Sequence, residues 1–122
     1  MIVAGFGFRS TATPESLRAA LGACVATARP DAVATAADKA RSDAFAGFAA
    51  DLGLRIIPVD PDTLARQQTS THSAASDAAR GTGSVAEAAA LAAAGSGARL
   101  LAPRVVSQDG MATCALAEGT DK

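Results

Sequence analysis

The sequence predicts an α/β fold, a three-layer α/β/α sandwich with a mixed, mainly parallel sheet and a C-terminal antiparallel hairpin. Three observations predict it. Short apolar runs alternate with helical periodicities from Ile2 to about Leu64, which is the βαβα order of a parallel sheet covered by helices. The strand candidates consist of small apolar residues with little polar alternation, as strands buried on both faces require. The last two apolar runs, Arg99 to Val106 and Met111 to Ala117, are joined by Ser107-Gln108-Asp109-Gly110, and an Asp-Gly pair favours a reversal of direction.

Taken in order, Ile2 to Phe8 is short, apolar and β-compatible and reads as the first strand. After the polar stretch Arg9 to Ala12, Thr13-Pro14-Glu15 supplies a cap and then a proline at the first helical position. Leu17, Ala20, Leu21, Cys24, Val25 and Ala28 recur at three- and four-residue steps, giving one stripe able to cover a sheet. Pro30 stops that helix. Ala32 to Ala36 is the second strand. From about Asp38, itself a candidate cap, Phe45, Phe48, Ala49 and Leu52 mark the face of a second helix, which Gly53 ends as a left-handed residue. Leu54 to Val59 is the third strand, with ladder bonding expected to lapse at Pro58, and Asp60-Pro61 caps a short helical turn through Leu64.

Between Gln67 and Arg80 no apolar residue larger than alanine occurs. The segment reads as a surface connection with a helical turn near Ser73 to Ala79, its first half the most mobile part of the domain. Ser84-Val85-Ala86-Glu87 matches the S-x-x-E capping box and opens an alanine helix that Gly95 terminates. The domain is expected to cover residues 1–117, with Glu118 to Lys122 a frayed tail.

Composition narrows the function. The 122 residues fit one domain. There are 33 alanines against 23 Leu, Ile, Val and Phe together, and neither Trp nor Tyr, so the core must be close-packed from small side chains. A net charge of -1 with 19% charged residues excludes a basic nucleic-acid binder and a disordered polyelectrolyte. Four phenylalanines are too few aromatics for stacking bases. The first apolar run is broken by two glycines and does not read as a signal peptide. Val85 to Ala94 carries Glu87 and falls far short of the roughly 20 apolar residues a bilayer span needs. A cytoplasmic protein without membrane contact is therefore expected. Cys24 and Cys114 lack C-x-x-C spacing and read as buried free thiols, with neither a metal site nor a cofactor implied.

Two glycine-bearing turns are candidate anion cradles. Gly5-Phe6-Gly7-Phe8-Arg9-Ser10 links the first strand to a helix, where backbone N–H groups and the helix N-terminus receive a carboxylate or phosphate. It fails as a dinucleotide fingerprint, because Ser10 replaces the third glycine and no acidic residue closes the next strand. The competing reading is that the glycines let a helix approach the strand closely. Gly81-Thr82-Gly83-Ser84 is the second such turn, with Glu87 either a general acid or base or simply the reciprocal cap of Ser84. Lys39 follows the second strand, at the carboxyl edge where open α/β sheets collect ligands. His72 is the single histidine and lies among Ser70, Ser73, Ser76 and Asp77, but no nucleophile-elbow sequence accompanies it, and a hydrolytic triad is rejected.

The turn Gly5-Phe6-Gly7-Phe8-Arg9, the step Ala36-Ala37-Asp38-Lys39 and the helix end Leu52-Gly53 belong to one pattern with later segments. These are Gly83-Ser84-Val85-Ala86-Glu87-Ala88-Ala89-Ala90-Leu91, Leu100-Leu101-Ala102-Pro103-Arg104 and Met111-Ala112-Thr113-Cys114-Ala115-Leu116-Ala117. Together they resemble the cobalamin-biosynthesis family of CobE and the C-terminal domain of CbiG, over about Ile2 to Ala117. The family pattern is a G-x-G-C-R-[RK]-G start, a D-x-K step, G-x-x-S-V-[AS]-E-A-[AS]-A-L, P-K and A-T-[VL]-A-[IL]-A. Phe8, Ser10 and Thr11 depart from it, and Arg104 replaces the lysine after proline. Because Met1 leads directly into the first strand, the freestanding CobE-like form is expected.

The resemblance implies participation in corrin-ring synthesis, by binding or handing on a precorrin-type intermediate. CbiG relatives open the δ-lactone of a cobalt-precorrin with release of acetaldehyde, so an activity like that of a cobalt-precorrin 5A hydrolase is the alternative, with Glu87 or Lys39 transferring a proton. A non-catalytic docking partner of other cobalamin-pathway enzymes is the third reading. Precorrins carry many acetate and propionate groups, to which two helix N-termini with Arg9, Lys39 and Arg104 offer complementary donors. The expected substrate-binding residues are Gly5, Gly7, Arg9, Ser10, Lys39, Gly83, Ser84 and Glu87.

Overall fold

The computed structural model describes residues 1–9, 11–24, 29–65, 85–95 and 97–119. Strands β1 (Ile2–Phe8), β2 (Ala32–Ala36), β3 (Arg55–Val59), β4 (Arg99–Val106) and β5 (Ala112–Glu118) form one sheet in the order β3-β2-β1-β5-β4. β1 pairs with β2, and β2 with β3, in parallel, while β5 runs antiparallel to both β1 and β4. Four strands thus point one way and β5 alone is reversed, which is the mixed, mainly parallel sheet the sequence predicts. The hairpin does more than close an edge: β5 inserts beside β1 and leaves β4 outermost.

Helices α1 (Pro14–Cys24) and α2 (Asp43–Leu52) cover one face, and α3 (Pro61–Ala65) and α4 (Val85–Ala94) the other. Strand alternation divides the core accordingly. Ala4 and Phe6 of β1 pack with Leu17, Ala20, Phe45 and Phe48 of α1 and α2. Val3 packs instead with Leu64 of α3 and Ala88, Ala89 and Ala90 of α4. The first core contains the large rings, Phe6 meeting both Phe45 and Phe48 edge to face, whereas the second is assembled mostly from alanine.

The alanine layer works because β1 presents glycine to it. A Cβ built on Gly5 would penetrate the Ala86 carbonyl oxygen and the Ala90 amide nitrogen and would lie 2.9 Å from Ala90 Cα. At Gly7 it would meet Val85 Cβ at 3.4 Å. The two glycines therefore sit inside β1 and admit the α4 backbone.

Local signals hold at most element ends. Thr13 Oγ1 accepts from the Ser16 N–H at 3.2 Å, and Ser16 Oγ accepts in return from the Thr13 N–H at 3.3 Å, a reciprocal cap on α1. Gly53, at φ 69°, donates its N–H to the Ala49 and Ala50 carbonyls and ends α2. Asp60 Oδ1 accepts from the Thr63 N–H at 2.8 Å and caps α3.

Three expectations need correction. α2 begins at Asp43, not near Asp38, because residues 37–41 close as turns and Ser42 Oγ takes the capping bond from Phe45 N–H. β3 does not lapse at Pro58: pairing continues through Ala36 and Val59, and proline is tolerated because β3 is an edge strand. Glu118 belongs to β5 and not to a frayed tail, since it pairs with Ile2 and Arg99, and the Gly119 N–H donates to the Met1 carbonyl at 3.0 Å. The connection Gln67 to Arg80, with its helical turn and His72, falls outside the described residues.

Substituting Gly5→Ala should destabilise the protein by about 1–3 kcal/mol, because the new methyl meets backbone that cannot step aside. Gly47→Ala, in the middle of α2 where a Cβ meets nothing within 4 Å, should instead stabilise by about 0.5–1 kcal/mol. Urea unfolding of both variants checks the pair of opposite signs.

Candidate functional site

The carboxyl ends of β1 and β2 define one edge of the molecule, and the N-termini of α1 and α4 arrive there. Val85, the first described residue of α4, lies against Gly7 near the end of β1. The β4–β5 turn reaches the same edge, because Ala112 at the start of β5 pairs with Phe8 at the end of β1. The exposed Arg9 is held there through its backbone, its N–H donating to the Met111 carbonyl at 2.9 Å and its carbonyl accepting from Ala12 N–H at 3.0 Å.

Lys39 follows β2 in a turn whose N–H donates to the Ala36 carbonyl at 2.9 Å. Its Nζ stands 5.4 Å from the centroid of the Phe8 ring, and Phe8 stacks on Phe45 with centroids 5.4 Å apart and planes 12° from parallel. The ammonium is thereby drawn to an aromatic face. The result is a half-buried ring with the Lys39 ammonium over it, and the exposed Arg9 is the next residue in the chain. Sequence reasoning picked both cations but not the ring under Lys39.

Glu87 stands in the first turn of α4, where its motif places it, and makes a further contact that the motif does not indicate. It is 0% exposed, in the first turn of α4, and its Oε2 accepts the Arg104 N–H at 2.9 Å. The reason lies in β4. Ala102 pairs with Leu116 and Val105 with Cys114, so Pro103 and Arg104 together oppose Ala115 in a bulge. The Arg104 N–H is turned out of the ladder and finds a carboxylate across the sheet. Glu87 therefore fastens α4 to β4. Ser84, the other half of the proposed capping box, lies outside the described residues, as do Ser10 and Gly83.

A second polar cluster, which sequence reasoning missed, fixes the β4–β5 turn. Asp109 accepts from the hydroxyls of Ser16 and Ser107 and, at 3.0 Å, from the Met111 N–H. Ser16 and Ser107 are buried, and Thr13 Oγ1 lies 3.2 Å from Ser16 Oγ. The hairpin turn is thus wired to the cap of α1. These hydrogen bonds, the one from Ser107 first and that from Ser16 next, hold the Asp109 carboxyl below its ordinary value. The only local hint was a serine at the third residue of the helix; its distant partner had no signature.

Cys24 and Cys114 are buried and free, as expected. They belong to one core cluster, between α1 and β5, and burial raises the Cys114 thiol well above its usual value. Among the described residues no group of His, Cys, Asp or Glu could hold a metal ion, and no helix is long and apolar enough to cross a membrane.

The family model described as the cobalamin synthesis G C-terminus matches residues 2–117. The crystal structure of CobE, a protein from the cobalamin (vitamin B12) biosynthetic pathway, is 31% identical, with a TM-score of 0.84 over 96% of this chain and 89% of its own. Cobalamin biosynthesis protein chiG from Agrobacterium tumefaciens is 36% identical, with a TM-score of 0.76 over 99% of this chain and 100% of its own. A chain from Sulfolobus solfataricus shares the fold alone: 18% identity, TM-score 0.66, with 36% of its length covered. No curated protein matches the chain.

Removing the Glu87 carboxyl by Glu87→Ala leaves the half-buried Arg104 N–H without this acceptor and should cost about 1–3 kcal/mol. Glu87→Gln keeps an acceptor oxygen and should retain most of that stability in the same unfolding experiment.

The Asp109 cluster makes stability depend on acid. A carboxyl whose folded pKa is depressed contributes stability that is present above its unfolded pKa, about 3.9, and is lost as pH falls through the folded value. Melting temperature measured on acidification should therefore fall less steeply in Asp109→Asn than in the parent.

Proposed function

The chain belongs to the family of the cobalamin synthesis G C-terminus, and from that premise we propose that it binds a precorrin-type intermediate of corrin-ring synthesis at the carboxyl edge of its sheet. The observation that carries the reading is the half-buried Phe8 ring with Lys39 over its face, at the strand end that the exposed Arg9 follows. An apolar macrocycle bearing acetate and propionate groups needs that combination, a small apolar contact bordered by cations.

The amide-lined starts of α1 and α4 add positive dipole ends at the same edge. Ser10, Gly83 and Ser84 are proposed to supply further donors from the two turns. Gly5 and Gly7 serve the site through α4, whose start they allow to reach the strand end. Glu87 positions β4 rather than meeting ligand. Its complete burial favours binding over lactone hydrolysis, since a proton-transfer group must come within hydrogen-bond reach of substrate. The bound intermediate would then pass to other enzymes of the pathway.

Spectral titration with hydrogenobyrinic acid tests the proposal. A saturable absorbance change is expected, weakened by about tenfold in Arg9→Ala or Lys39→Ala and by added salt, which screens exposed charges. An absorbance unchanged at large ligand excess overturns it.

A further inference from the structure

The opposite, amino edge of the sheet holds a cavity that the corrinoid reading does not use. Its volume is about 380 Å³, within the lower part of the range, about 300–1,000 Å³, that small-molecule sites occupy. Leu21 from α1, Leu52 at the end of α2 and Leu54 before β3 form the floor, with Pro30 ahead of β2. The three leucines are only half-buried, so they offer apolar surface that the fold leaves incompletely covered.

Two guanidinium groups border this floor, and they are not equivalent. Arg18 is committed to ion pairs, with Asp51 and, at 3.8 Å, with Glu15. Its charge is met within the protein, and its stem serves as wall. Arg29 is exposed and has no ion-pair partner among the described residues. An apolar chamber with one unmatched cation at its border selects a ligand with an apolar body and a single negative head. A fully polar anion would gain the cation but strand its hydration against leucine. A neutral hydrocarbon would leave the guanidinium unused.

We infer that this cavity is a second binding site, for a small amphipathic carboxylic acid, with the carboxylate on Arg29 and the apolar chain over Leu21, Leu52 and Leu54. The site is independent of the corrinoid edge.

Gly22 provides the control. It lines the cavity, and a Cβ added there meets nothing within 4 Å. Gly22→Leu therefore extends a side chain into open space within a helix, which favours leucine over glycine.

The experiment is a methyl NMR titration of the full chain with sodium octanoate and, separately, with 1-octanol. Saturable shifts of the Leu21, Leu52 and Leu54 methyls by octanoate are expected. Arg29→Gln should weaken octanoate by about tenfold while leaving octanol unchanged, and Gly22→Leu should abolish both with an undiminished melting temperature. Absence of saturable shifts at millimolar octanoate overturns the inference, as does equal binding of octanoate to the parent and Arg29→Gln. Loss of octanoate binding in Arg29→Gln with an unaltered hydrogenobyrinic acid titration supports it and leaves the corrinoid reading standing.

Discussion

The backbone contact between α4 and β1 organises this protein. A helix normally stands off a sheet by the thickness of the side chains between them, and here there are almost none. Gly5 contributes no atom beyond its backbone, and α4 answers with Ala86, Ala89 and Ala90. The layer gains its cohesion from close packing rather than from bulk, since dispersion accumulates with the number of atoms in contact and is forfeited by small gaps. A chain with 33 alanines and few large side chains has little choice but to approach this closely. The division of labour between the two faces follows, with phenylalanine over α1 and α2 and alanine over α4.

That approach also determines the polar architecture. Once α4 lies on β1, Ala86, Glu87 and Ala88 are shut from solvent, and a carboxyl at Glu87 must find a partner inside. The Pro103–Arg104 bulge releases the N–H that serves it. Neither feature makes sense alone: an orphan amide in a bulge costs free energy when buried, as does an unpaired carboxyl. Their pairing couples the edge strand to the helix that crosses the middle of the sheet. Asp109 plays a comparable part at the rim, joining the β4–β5 turn to α1 through Ser16.

Much of this was legible in the order of residues. β1 and β2 match their expected bounds, and the Thr13 cap, the Gly53 and Gly95 stops and the Asp109-Gly110 reversal are all local signals, read by the few residues around them. The start of α2 was misjudged because Asp38 and Ser42 are both acceptable caps, and turn closure over residues 37–41 decides between them. The insertion of β5 beside β1, the partner of Glu87 and the Asp109–Ser16 link depend on contacts between distant segments, which leave no periodicity to count. The amino-edge cavity was invisible for the same reason, being assembled from residues 18–22, 29–30 and 52–54. In the candidate corrinoid site Arg9 and Lys39 are legible from their position after strands, whereas Phe8 stands out in the sequence only as a departure from the family pattern, because its contact with Lys39 joins separate segments.

The net charge of -1 bears on how either proposed site would recognise an anion. A protein this close to neutrality has little overall field with which to steer a polycarboxylate. Attraction must come from groups within a few ångströms of the ligand, where screening by salt is incomplete. A lysine held over a ring and helix starts fixed by a cap or by close packing suit that task, because their geometry is set before the ligand arrives and little freedom is lost on binding. On the proposed function, the glycine–alanine contact is a functional matter as well as a structural one. If α4 stood farther from β1, its N-terminus would withdraw from the strand end, and the donors at that edge would face solvent separately instead of a shared ligand.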